Sequence, residues 1–134
     1  MAPPTALGYL RTDGGTYPEQ SLSERQIRAR KNAIQVRAEG YGLDLMGLYV
    51  EDVPGSRQML SRLLATACFC VAHDDQLAAI IIFEPTDLGT TGLMQARTQD
   101  RIDDLDLRLE IISVDGPGSA GCAGSGAVPR SVLR

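Results

Sequence analysis

Arg11, Gln26 and Arg57, with Thr12, Asp13 and Thr16 near the first of them, are the residues here whose types suit chemistry on a phosphate. A guanidinium grips a phosphate through two parallel charge-assisted hydrogen bonds, and a preorganised donor stabilises charge as it develops. A threonine hydroxyl becomes a nucleophile when a neighbouring base takes its proton. Carboxylates act the other way. Asp13 and Asp87 beside a phosphodiester would each oppose it by roughly 1 to 4 kcal/mol in a partly solvated site. Asp13, Asp52 and Asp87 together would instead offer the oxygen ligands that magnesium favours. The simpler reading of those aspartates is three separate turn and cap positions.

The elements that must position these groups follow from apolar spacing and from the breakers between them. Ala6–Leu10 reads as a short buried strand, closed by the loop Asp13-Gly14-Gly15-Thr16-Tyr17-Pro18. Ser21 with Glu24 predicts a capping box and a helix running to about Glu39, stopped at Gly40-Tyr41-Gly42. Its apolar points are Leu22, Ile27 and Ile34, with Ala29, Ala33 and Val36. Leu43–Val50 is a second strand. Ser56 is placed to cap a helix in which Met59, Leu60, Leu63, Leu64 and Ala67 form a core stripe. The isoleucine-rich run Ala78–Phe83 has the character of a central parallel strand buried on both faces. A weaker helix is expected over Thr91–Asp104 and a last strand over Leu107–Val114.

Strands separated by helices imply parallel pairing and right-handed crossovers. The expected fold is α/β, a three-layer sandwich around a mostly parallel four-stranded sheet. Ligands of such sheets bind beyond the carboxyl ends of the strands. Those ends are Arg11 to Asp13, Glu51 with Asp52, and Glu84 to Thr90, joined by Gln26 and Arg57 from the starts of two helices. Residues 1–114 make one domain. The Gly- and Ser-rich segment 115–134 has too little apolar surface to order itself and is expected to be a flexible tail.

Composition narrows the function classes. With 134 residues, 43% hydrophobic and 22% charged, the chain has the make-up of a soluble domain with one core. Leu77–Phe83 is far too short to span a bilayer, and Met1–Thr5 has no basic region leading into an apolar one, so a cytoplasmic protein without membrane contact is expected. Cys68, Cys70, Cys122 and the single histidine, His73, lack the paired spacing of a zinc site; buried or half-buried thiols, no metal and no cofactor are expected. A net charge of −4, from 13 basic and 17 acidic residues, is the wrong balance for a dedicated DNA binder. One basic patch stands against it: Arg25, Arg28, Arg30, Lys31 and Arg37 fall in a single helix.

The strand Ala6-Leu7-Gly8-Tyr9-Leu10-Arg11, the helix carrying Gln26, Gly40-Tyr41, Asp52 and the run Arg57-x-x-Leu60-x-x-Leu63-Leu64 follow one another in the order found in serine recombinases. Over Ala6–Val114 the chain resembles the N-terminal catalytic domain of that resolvase/invertase family. The resemblance implies that Arg11, Gln26 and Arg57 contact the scissile phosphate and organise its pocket. It also exposes three departures. Asp13 stands where the family has its nucleophilic serine. Thr86-Asp87-Leu88-Gly89-Thr90 stands where the family has Asp-Arg-Leu-x-Arg, so both phosphate-clamping arginines are lost, at Asp87 and Thr90. The loop between Arg11 and Gln26 is longer than usual.

Lost donors cost on the order of 100- to 1000-fold each, so loss of nucleophile and clamps together predicts no strand cleavage. The expectation is a resolvase-like domain associated with recombination or mobile elements, without catalysis, in a regulatory, DNA-associated or vestigial role. Its expected partners are DNA, contacted weakly through Arg25, Arg28 and Lys31, or a recombinase-type protein. The family's long dimerisation helix would follow the last strand; Val114 leads instead into the Gly-rich segment, so a monomer or weak dimer is expected. The alternatives are an active recombinase or nicking protein that uses Thr12 or Thr16, and an acidic divalent-metal or protein-interaction module.

Overall fold

A computed structural model describes residues 3–12, 22–53, 56–73, 76–89 and 91–113. Strands β1 (Thr5–Arg11), β2 (Asp44–Glu51), β3 (Leu77–Ile82) and β4 (Arg108–Ile111) alternate with helices α1 (Glu24–Gly40), α2 (Gln58–Ala72) and α3 (Gly92–Asp104). A four-residue 3₁₀ turn, Pro85–Leu88, lies between β3 and α3. The sheet has the order β2-β1-β3-β4, and every pairing is parallel. This is the expected three-layer α/β architecture, with a sheet that is wholly rather than mostly parallel.

Two apolar layers fill it. Ala6, Leu10, Ala79 and Ile81 pack against Ile34 and Ala38 of α1. Leu7, Tyr9, Ile80 and Ile82 point the other way, into Leu60, Leu63, Leu64 and Ala67 of α2 and Ile102 of α3. The two-residue period of a strand produces this division, sending alternate side chains to opposite faces. Gly8 lets α1 come close: a Cβ there would lie 2.8 Å from both Ile34 Cγ2 and Leu48 Cδ1. In β2, Leu45 and Leu48 both reach the α1 side. Their odd spacing is reconciled by a register shift that skips Met46, as a β-bulge does.

Several local expectations are corrected. The capping box of α1 is Ser23 with Gln26, not Ser21 with Glu24: Gln26 N–H donates to Ser23 Oγ and Ser23 N–H to Gln26 Oε1. Ser21 lies outside the described residues. Only Ile34 and Ala38 of α1 are buried; Ala29 and Val36 are exposed. The helix does stop at Gly40-Tyr41-Gly42, where Gly42 takes the left-handed conformation. Cys70 is buried but Cys68 is exposed, because residues two apart on a helix point in nearly opposite directions. The tail 115–134 lies outside the described residues. No helix among the described residues is long and apolar enough to cross a membrane.

Candidate functional site

The connection from β1 leads to β2 on one side, and the connection from β2 leads back across to β3. The sheet therefore changes direction between β1 and β3, and the crevice beyond those strand ends is where an open α/β sheet takes a ligand. Arg11, Glu51 and the turn after β3 stand at that edge.

Arg11 and Glu51 are register partners on neighbouring strands, and both are buried. Tyr9, two residues before Arg11, lies on the same face. The Tyr9 hydroxyl donates to Glu51 Oε1 at 3.0 Å, and Arg11 Nη1 donates to the Tyr9 oxygen at 3.2 Å and to the Ser56 carbonyl at 2.6 Å. Glu51 Oε1 also accepts the amides of Met59 and Leu60, at 3.0 and 3.4 Å. The assigned N-cap of α2, Arg57, makes no side-chain cap bond. A carboxylate from the end of β2 thus caps α2, where amides and helix dipole favour negative charge. Ser56, the expected cap, contributes a hydroxyl that accepts the Gln58 amide at 3.3 Å. Burial pushes the Tyr9 phenol well above its usual range; Arg11 pulls it back and Glu51 adds to the rise.

Arg57 faces away from this cluster in its bonding. Its Nη2 donates to the Leu88 carbonyl at 2.9 Å and to Thr98 Oγ1 at 3.1 Å, tying the start of α2 to the turn after β3 and to α3. Gln26 is exposed, its side chain committed to the capping box of α1. The positions implied by resemblance are therefore two buried or half-buried arginines bonded within the fold and one glutamine serving a helix end.

Among candidate nucleophiles, the Thr12 hydroxyl donates to the Glu51 carbonyl at 3.3 Å, an acceptor that cannot take its proton. Asp13, Thr16 and Thr90 lie outside the described residues. Asp87 is buried: its Oδ2 accepts the amides of Phe83 and Glu84, each at 3.1 Å. Burial is the largest cause that pushes its carboxyl up to about 7. Asp52 is exposed. Among the described residues no three His, Cys, Asp or Glu side chains converge as metal ligands.

The basic helix divides by face. Arg30 pairs with Glu84 at 3.3 Å and lies over the Phe83 ring, while Arg37 pairs with Glu110 at 3.3 Å. Arg25, Arg28 and Lys31 are exposed to solvent.

Sequence reasoning placed Glu51 at a ligand-facing strand end without giving it a role, and gave Tyr9 none. The available signal was a tyrosine and a terminal glutamate at the ends of two strands expected to pair in parallel, one flanking an arginine. Compared with protein-family models, curated proteins and solved structures, the chain matches none.

Proposed function

We propose that this chain is a resolvase-like domain without strand-cleaving chemistry, which associates weakly with DNA through the exposed basic face of α1 and acts in a regulatory or vestigial capacity. The supporting observation is the internal engagement of Arg11 and Arg57: Arg11 Nη1 holds Tyr9 and the Ser56 carbonyl, and Arg57 Nη2 holds the Leu88 carbonyl and Thr98. Guanidiniums bonded in this way serve the scaffold. Glu51 adds to this, because its carboxylate occupies the helix start where a phosphate would otherwise be favoured.

Support for DNA comes from the division of charge on α1. With Arg30 and Arg37 turned inward onto acids, Arg25, Arg28 and Lys31 form an outward basic face that a phosphate backbone suits. The net charge of −4 keeps such binding weak, and its salt dependence is set by the few phosphates the basic face contacts.

Fluorescence anisotropy with a labelled duplex tests this. Three phosphate contacts give a slope of about −3 in log affinity against log salt. Replacing Arg25, Arg28 and Lys31 together by glutamate should abolish binding without changing the melting temperature. Salt-independent binding, or binding that survives the triple replacement, refutes the DNA contact.

A further inference from the structure

The turn after β3 encloses a carboxyl group that the proposed DNA contact does not use. Asp87 is 1% exposed. Its Oδ2 closes the turn on itself by accepting the Phe83 and Glu84 amides, whereas its Oδ1 is buried and receives no hydrogen bond. A carboxylate in a dry site with one bare oxygen is costly, and the neutral acid avoids most of that cost. The turn is anchored by Leu88, buried in the core, by the Arg30–Glu84 pair at 3.3 Å, and through its carbonyls: Arg57 and Thr98 donate to the Leu88 carbonyl at 2.9 and 3.1 Å, and Gln95 donates to the Gly89 carbonyl at 3.0 Å.

The groups around Asp87 are identifiable element by element. Glu84, in its own segment, disfavours ionisation; Arg30, from α1, favours it. Arg57, from the start of α2, binds the adjoining Leu88 carbonyl and Thr98. Thr98 and Gln95, from α3, do not titrate. On β1, Tyr9 and Arg11 bond to Glu51 and to the Ser56 carbonyl.

We propose that Asp87 is a proton-operated latch: neutral, it stays buried and holds the turn Pro85–Leu88 against α2 and α3; ionised, it is drawn to water and releases the turn, freeing the Leu88 carbonyl from Arg57. The latch turns over near neutral pH, since burial, reinforced by Glu84 and opposed by Arg30 and the two amides, brings Asp87 up to about 7. It stands whether or not the domain binds DNA.

Hydrogen exchange of the full chain tests it. Between about pH 6 and about pH 8, after correction for intrinsic exchange, proton linkage lowers protection of the amides of Phe83, Glu84 and Thr86 to Gly89 about tenfold, while the central amides of β1 change little. Asp87→Asn should show no such fall. Carboxyl carbon-13 NMR on the unsubstituted protein is a second readout that needs no variant, and a midpoint near neutrality is expected. Equal protection of the turn at both pH values overturns the latch, as does an Asp87 midpoint in the ordinary carboxylate range.

Discussion

The Glu51 carboxylate at the end of β2 binds the Tyr9 hydroxyl of β1 at 3.0 Å and, through the same oxygen, the Met59 and Leu60 amides that open α2. One buried side chain thereby joins two strands to the helix packed on them. Glu51→Ala removes a helix cap, worth about 1 kcal/mol, and strands a buried phenol, at about 1 to 3 kcal/mol. Urea unfolding should show a loss of about 2 to 4 kcal/mol for this variant. Tyr9→Phe removes two hydrogen bonds, the one given to Glu51 and the one taken from Arg11, and should cost about 1 to 2 kcal/mol. Near-equal losses would mean that the cap contributes nothing.

Asp87 makes stability depend on pH with a definite sign. Its folded value, about 7, lies above the ordinary aspartate value of 3.8, so the native state binds the proton more tightly between these values. The contribution is complete below the lower value and lost as pH rises through the upper one. A shift of this size is worth about 4 kcal/mol at most. The melting temperature should therefore fall between about pH 5 and pH 8, and Asp87→Asn should flatten that fall. A variant with the same pH dependence as the parent would show that another group is responsible.

Gly8→Ala tests the closeness of α1. The new methyl would meet Ile34 Cγ2 and Leu48 Cδ1 at 2.8 Å, both in the core, and overpacking of this kind costs about 1 to 3 kcal/mol. Gly40→Ala meets nothing within 4 Å and should be neutral or slightly stabilising. Chemical denaturation of both separates packing from backbone effects.

Arg37 and Arg28 lie on the same helix but differ in what they touch. Arg37→Ala leaves Glu110, 7% exposed, with the Arg108 guanidinium at 3.7 Å, and should cost about 1 to 2 kcal/mol. Arg28→Ala, at a solvated position, should stay within about 0.5 kcal/mol of the parent. Equal effects on urea midpoints would contradict the division of α1 into an ion-paired and a free face.

The architecture was legible because its signals are local and repeated. Ile80, Ile81 and Ile82 mark a strand buried on both faces, and Leu60, Leu63, Leu64 and Ala67 recur at helical spacing. Details set by tertiary contact were not legible. The α1 cap moved from Ser21 to Ser23 because both serines have an acid or amide three residues on, and spacing does not choose between them. The bulge at Met46 broke the alternation of β2, hiding which of its leucines face α1. Glu51 was placed at a strand end, but its capping role was hidden because a glutamate there is ordinarily solvated; the register pairing with Arg11 goes with its burial. Asp87 was legible as a turn or cap aspartate, but its burial depends on how the turn folds under α3.

If Arg11, Gln26 and Arg57 serve the scaffold as proposed, the chain does not cleave DNA strands. Incubating the full chain with supercoiled plasmid, then resolving protein–DNA species under denaturing conditions, tests it most directly. Plasmid that stays supercoiled, with no covalent protein–DNA adduct, is the expected result. A covalent adduct mapped to Thr12, Thr16 or any other hydroxyl of this chain would contradict it.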